Sequence, residues 1–200
     1  TNRNMTKKIN RQDACISNTI ISQFKYDKDF NKELDFCKKL EYQHYEDGRV
    51  ESSFNRGVLF EKEMVKIREF IQQSLDEYVQ NVLKGPKLLI AQSWVGRQAK
   101  GQSVVEHKHI SDINGCFYFT VPDDTTPLVF NRANQVGLID DFRVPIHQGD
   151  LILFPNKLEH WVPENKSPET RYVIGFNSRH PEVIKEWVKI GDFYSGEEGK

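Results

Sequence analysis

Residues 144–165 read VPIHQGDLILFPNKLEHWVPEN, and this stretch decides the fold. Gly149 and Asp150 make a turn. The run LILF is apolar at every position and reads as a buried strand, Pro155 and Asn156 turn the chain again, and His160 opens the next strand. Similar runs lie on either side: LLIAQSWV from Leu88, CFYFTV from Cys116, PLVF from Pro127 and YVIGF from Tyr172. They are rich in β-branched and aromatic residues and are punctuated by Pro, Gly, Asn and Asp. Short strands so spaced, with no helices between them, predict an antiparallel barrel or sandwich over residues 87–178 rather than a parallel α/β sheet.

The front half has a different period. Phe30, Leu34, Cys37 and Leu40 recur at helical steps, and a longer helix is expected from Phe60 to Leu83, with Met64, Ile67, Ile71, Leu75 and Val79 on one face. Gly85 and Pro86 end it. The polar segment from His44 to Gly57 between these helices receives no role. Residues 1–25 read as an N-terminal extension, 26–86 as helical support, and Pro181 to Ile190 as a closing helix with Pro181 in its first turn. The whole is expected to be one domain, mainly β with α, which suits 200 residues.

Lysines and arginines number 28 against 29 aspartates and glutamates, so no global basic field favours nucleic acid. Cys15, Cys37 and Cys116 are odd in number and widely spaced, which argues against a disulfide scaffold. No apolar run approaches the roughly 20 residues that span a bilayer, and the first residues lack the apolar stretch of a signal peptide. A protein of the cytoplasm without a membrane partner is expected, and composition leaves its oligomeric state open.

The chemistry-bearing residues cluster in the strand region. In GQSVVEHKHISD, from Gly101, His107 and His109 lie two apart, which on a strand turns both imidazoles to one face. A solvated surface pair would have the same spacing. His160 opens a later strand and is expected to face the pair across the barrel. Eleven residues further, Arg171 begins an apolar strand, as either a rim salt bridge or a clamp for an anion. His44, His147 and His180 lack paired spacing and read as surface or structural residues.

Taken in order, Trp94, His107-Lys-His109, NGCFYF from Asn114, GDLILFP from Gly149, His160 and RYVIGFN from Arg171 resemble the Fe(II)/2-oxoglutarate-dependent oxygenases. The likeness is to a branch of small bacterial and phage members. It implies a double-stranded β-helix, a jelly-roll or cupin-like barrel supported by N-terminal helices. It also implies an oxidoreductase with Fe(II) held by His107, His109 and His160 and with 2-oxoglutarate as cosubstrate. The carboxylate far from the metal would pair with Arg171, with Tyr118 as a second partner unless Tyr118 is a core aromatic. Turnover would release succinate and carbon dioxide and hydroxylate a bound substrate. Trp94, Phe117, Phe154 and Trp161 are candidates for the apolar walls that such chemistry needs.

Most relatives carry a carboxylate two residues after the first histidine, where this chain has His109. Asp112, bending back from a loop, is the alternative third ligand, while Glu106 should point to the opposite strand face. A cupin-type metal-dependent dioxygenase or isomerase is the second reading, on Gly101, His107, His109, Gly149, Pro155 and His160. It fails where a glutamate ligand should follow, at Ile113 and Asn114. A non-enzymatic ligand-binding barrel is the third. The substrate is not readable, and selectivity is expected from His44–Gly57, Pro122–Pro127 and Asn131–Phe142. Asn177 and Trp94 are candidates for substrate contact, with Arg132 and Arg143 beside them.

Overall fold

Strand alternation sends Leu151 and Leu153 to one side of the sheet and Ile152 and Phe154 to the other. All four are fully buried, in two separate cores. A strand packed on both faces needs a layer on each side, which is why LILF is apolar at every position. The computed structural model describes residues 10–16, 19–122, 127–133 and 139–190.

The strands are β1 (Arg11–Ile16), β2 (Thr19–Lys25), β3 (Tyr42–Gln43), β4 (Glu51–Ser53), β5 (Leu89–Gln98), β6 (Val104–His107), β7 (Ile113–Tyr118), β8 (Leu128–Ala133), β9 (Ile139–Val144), β10 (Asp150–Pro155), β11 (His160–Val162) and β12 (Arg171–Arg179). The helices are α1 (Asn31–Lys38), α2 (Val65–Glu77) and α3 (Pro181–Ile190). An eight-stranded sheet runs β1-β2-β10-β7-β12-β5-β4-β3 and a four-stranded sheet runs β6-β11-β8-β9, each antiparallel throughout. The fold is the expected jelly roll. No helix among the described residues is long and apolar enough to cross a membrane.

On the outer face of the large sheet, Phe24, Phe117, Ile174 and Phe176 meet Leu34, Ile67, Ile71 and Leu75 from α1 and α2. Between the sheets, Ile21, Ile152, Phe154, Phe130 and Val162 form the second core. Phe117 therefore faces the helices and is not a wall of the barrel interior, because its neighbours Cys116 and Tyr118 take the inward positions of β7.

Two expectations shift. Within the expected extension β1 and β2 pair with each other and continue the large sheet through the pairing of β2 with β10. Its strand pattern is obscured because polar side chains tie it down: Gln23 Nε2 and Lys25 Nζ reach the Asp150 carboxylate at 2.8 and 3.0 Å. The long helix begins at Val65 rather than Phe60, whose side chain is 46% exposed. Val58–Phe60 is a 3₁₀ turn held to β5, where Leu59 N–H donates to Ser93 Oγ at 2.9 Å. The helix closes in a π-helical segment over Tyr78–Val82.

Gly149 ties three segments together. Its N–H donates to the Tyr118 carbonyl at 2.8 Å, and its own carbonyl accepts from Tyr26 N–H at 2.9 Å. Its φ is +82°, and a Cβ there would lie 2.6 Å from the Tyr26 carbonyl oxygen. Gly149→Ala is expected to cost about 1–3 kcal/mol, read as a lower urea midpoint with an unchanged slope.

Candidate metal centre

Three imidazoles converge at one end of the space between the sheets. His160 stands directly opposite His107 in the pairing of β11 with β6. The two are neighbours within the small sheet, not partners facing each other across the barrel, because β6 and β11 are adjacent strands. His109 lies just beyond the end of β6, so the chain's exit from the strand, more than strand alternation, brings its ring back. The ligand nitrogens of all three fall within 4.8 Å of one another.

Backbone carbonyls orient two of the rings. His107 Nδ1 lies 2.8 Å from the Val105 carbonyl, and His160 Nδ1 lies 3.1 Å from the Leu158 carbonyl. A carbonyl only accepts, so each Nδ1 carries the proton and each Nε2 presents its lone pair. His107 Nε2 and His109 Nε2 are 3.1 Å apart. Two nitrogens at right angles around an ion roughly 2.1 Å from each would be separated by about 3.0 Å, so the donor set fits a first-row metal. Burial lowers the His109 pKa to about 4, with His107 adding to the effect. Burial likewise lowers that of His160 to about 3, with a further contribution from His107. Both rings are thus kept neutral, as ligands must be.

The carboxylates nearby are engaged elsewhere. Asp112 Oδ2 accepts from His180 N–H at 2.9 Å and Oδ1 faces Arg179 at 3.7 Å. Glu106 accepts from Asn131 Nδ2 at 2.6 Å. Among the described residues, His107, His109 and His160 are the group placed to hold a metal. His44 pairs with Glu51, His147 with Asp150, and His180 Nδ1 accepts from Glu182 N–H at the start of α3.

Beside the histidines, the inner face of β12 carries Arg171, Val173, Gly175 and Asn177 in a row. Trp94 pairs with Gly175 in register, and a Cβ on that glycine would lie 2.7 Å from the indole. The missing side chain is what lets the Trp94 ring lie down, 5.5 Å from the His109 ring. Phe154 closes the other side, 4.7 Å from the His160 ring. Trp161 is only half-buried and stacks under Arg143 instead. Asn177 Nδ2 donates to Gln92 Oε1 at 3.2 Å, while its own Oδ1 is buried and has no partner among the described residues.

At the other end of the row Arg171 is 2% exposed, its guanidinium 5.3 Å from the centre of the Tyr118 ring. Burial lowers the Arg171 pKa, and Tyr118 and Cys116 partly offset this. Tyr118 is pushed well above its ordinary value, chiefly by burial. Its hydroxyl lies against Cys116 with no nitrogen or oxygen partner among the described residues.

Between Trp94 and the chain surface lies a cleft of about 380 Å³ that reaches His107 and His109. Its floor holds Gln92, Trp94 and Asn177, and its outer wall holds Tyr45, Arg49 and Arg56. The wall comes from the polar segment His44–Gly57, one of the segments expected to set selectivity. Arg132 and Arg143 are elsewhere, paired with Asp140 and Asp141 on the β8–β9 hairpin. Residues 123–126 and 134–138, within two of the segments expected to set selectivity, lie outside the described residues, as does the Trp187 side chain.

Residues 92–177 match the family described as "Putative 2OG-Fe(II) oxygenase". The two ends of that span are the hydrogen-bonded pair Gln92 and Asn177. No curated protein matches the chain in sequence. Among solved structures, it is similar to SnoN, the non-heme alpha ketoglutarate dependent epimerase from nogalamycin biosynthesis. The TM-score is 0.63 at 12% identity, over 79% of this chain and 76% of that one. HygX from Streptomyces hygroscopicus, solved with nickel, 2-oxoglutarate and hygromycin B, gives 0.62 at 10% identity, over 80% and 83%. A Pseudomonas putida prolyl-4-hydroxylase gives 0.58 at 16% identity, over 80% and 92%. At such identities the likeness is one of fold.

The neutral histidines predict a pH signature for the metal-free protein. His109 and His160 titrate well below 6.5 when folded, whereas the unfolded chain takes up protons near 6.5. Their contribution is present above pH 6.5 and is lost as pH falls toward 4, with a slope of at most about 1.4 kcal/mol per pH unit for each. Urea midpoints from pH 7.5 to 4.5 should follow that fall, and His160→Gln should flatten it.

Proposed function

Because the chain belongs to the Fe(II)/2-oxoglutarate-dependent oxygenase superfamily, we propose that His107, His109 and His160 hold its iron and that it hydroxylates a substrate admitted through the Trp94 cleft. The enzyme is an oxidoreductase that uses Fe(II) and 2-oxoglutarate. The convergence of three ligand nitrogens within 4.8 Å carries the assignment. Bound iron and 2-oxoglutarate supply the activation of dioxygen, 2-oxoglutarate leaving as succinate and carbon dioxide.

The protein's own residues bind, orient and shield. The Val105 and Leu158 carbonyls hold the two rings with Nε2 toward the site. Arg171 and Tyr118 receive the carboxylate that lies away from the metal: the fork of the guanidinium matches its two oxygens, and the buried hydroxyl supplies a further donor. Burial strengthens that pairing, since the local dielectric is low. Trp94 and Phe154 keep bulk water from the imidazoles. The unpartnered Oδ1 of Asn177 accepts a hydrogen bond from a substrate hydroxyl or amine. With three neutral ligands the centre keeps one more positive charge than one with a carboxylate. A cupin-type reading would need a carboxylate ligand, and Asp112 and Glu106 are both committed elsewhere.

Anaerobic titration with Fe(II) and 2-oxoglutarate tests this reading through the visible charge-transfer band of the chelate. The band should form in the wild type and in His109→Asp and be lost in His109→Ala. A wild type without the band, or a His109→Ala protein that keeps it in full, would contradict the ligand set. Arg171→Ala should weaken 2-oxoglutarate binding by about tenfold or more, the loss of a charge-assisted pair worth roughly 1.5 kcal/mol or more.

A further inference from the structure

The cleft above the histidines is electrically one-sided. Among the described residues its lining includes two arginines, Arg49 and Arg56, and no aspartate or glutamate. Arg49 is already compensated: its Nε lies 2.6 Å from the Asp47 carboxylate, and its guanidinium covers the Tyr45 ring at 4.6 Å. Glu51, the nearest acidic residue on β4, is bound by Arg97 and by His44 at 2.5 Å. Arg56 has no such partner. Among the described residues its guanidinium meets the Ser52 hydroxyl at 3.2 Å and the Trp94 face at 5.7 Å, and no carboxylate.

The position of Arg56 is built in advance. Its carbonyl accepts from Ser93 N–H at 2.9 Å, next to Trp94, and Gly57 bridges to Ser93 in parallel. At the other end of the same segment Val50 N–H donates to the Ser103 carbonyl at 2.9 Å. A charge whose backbone is already tied to β5 needs less ordering when a ligand arrives. Trp94 touches both Arg56 and His109, so one small molecule can lie along the indole with one end at the guanidinium and the other at the metal centre.

We infer that the primary substrate is a small organic anion, carrying a carboxylate or a phosphate, and that Arg56 is the residue that selects it. The inference rests on the cleft being the substrate entrance of the oxygenase proposed above. It assigns Arg171 and Arg56 to different ligands: Arg171 at the sealed end of the barrel takes the cosubstrate, and Arg56 at the mouth takes the substrate. An arginine fork pairs with either anion through two parallel hydrogen bonds.

The test uses the anaerobic Fe(II)–2-oxoglutarate complex, with isothermal titration calorimetry of benzoate against benzamide and of phenyl phosphate against phenol. At least one anion should bind about tenfold or more tightly than its neutral counterpart, and the pair that discriminates tells carboxylate from phosphate. Arg56→Gln should erase the preference and Arg56→Lys should keep part of it, both with an unchanged 2-oxoglutarate band. Equal affinities within both pairs in the wild type, or a preference that survives Arg56→Gln, would overturn the inference while the band stands. If the starting complex forms no band, the oxygenase reading itself fails before any anion is added.

Discussion

His160 and His107 stand opposite each other in the pairing of β11 with β6, and the site depends on that register. A slip of one residue would turn His160 to the opposite face of the small sheet, because side chains alternate along a strand. What holds the register is ordinary packing. Val162, two residues on, and Phe130 on the other flanking strand are buried in the core between the sheets. The imidazoles are held where the apolar residues around them need the strand to be.

The large sheet divides the labour between its faces. Outward, Ile174, Phe176 and Ser178 of β12 are buried, the two apolar side chains against the support formed by α1 and α2. Inward, the same strand presents Arg171, Gly175 and Asn177, none of which would stabilise a core by itself. Burying a guanidinium is costly, so the stability of this strand comes from its helical side and its chemistry from the other. Gly175 shows the trade clearly: it contributes no packing of its own, and the space it leaves is filled by the Trp94 indole.

Electrostatics follow the same division. Where the histidines converge, His109 and His160 are kept neutral chiefly by burial, with His107 adding to the effect. The mouth, by contrast, keeps a positive side chain on the stitched segment 48–57.

The residue types of the site were legible in the sequence alone. His107 and His109 could be named from their two-residue spacing, and His160 and Arg171 because they open strands whose pattern of Gly, Pro and apolar runs is local; the antiparallel barrel followed from the same runs. Which residues meet was not local. Adjacent strands, not facing ones, bring His160 to His107, and the choice depends on pairing between segments far apart in the chain. The inward or outward sense of Phe117 and the placing of β1 and β2 in the sheet likewise rest on partners that no periodicity names. Arg56 illustrates the limit best, since its polar segment has no pattern at all. Only its hydrogen bonds to β5 carry it to the mouth of the site, and those exist only once the barrel has closed.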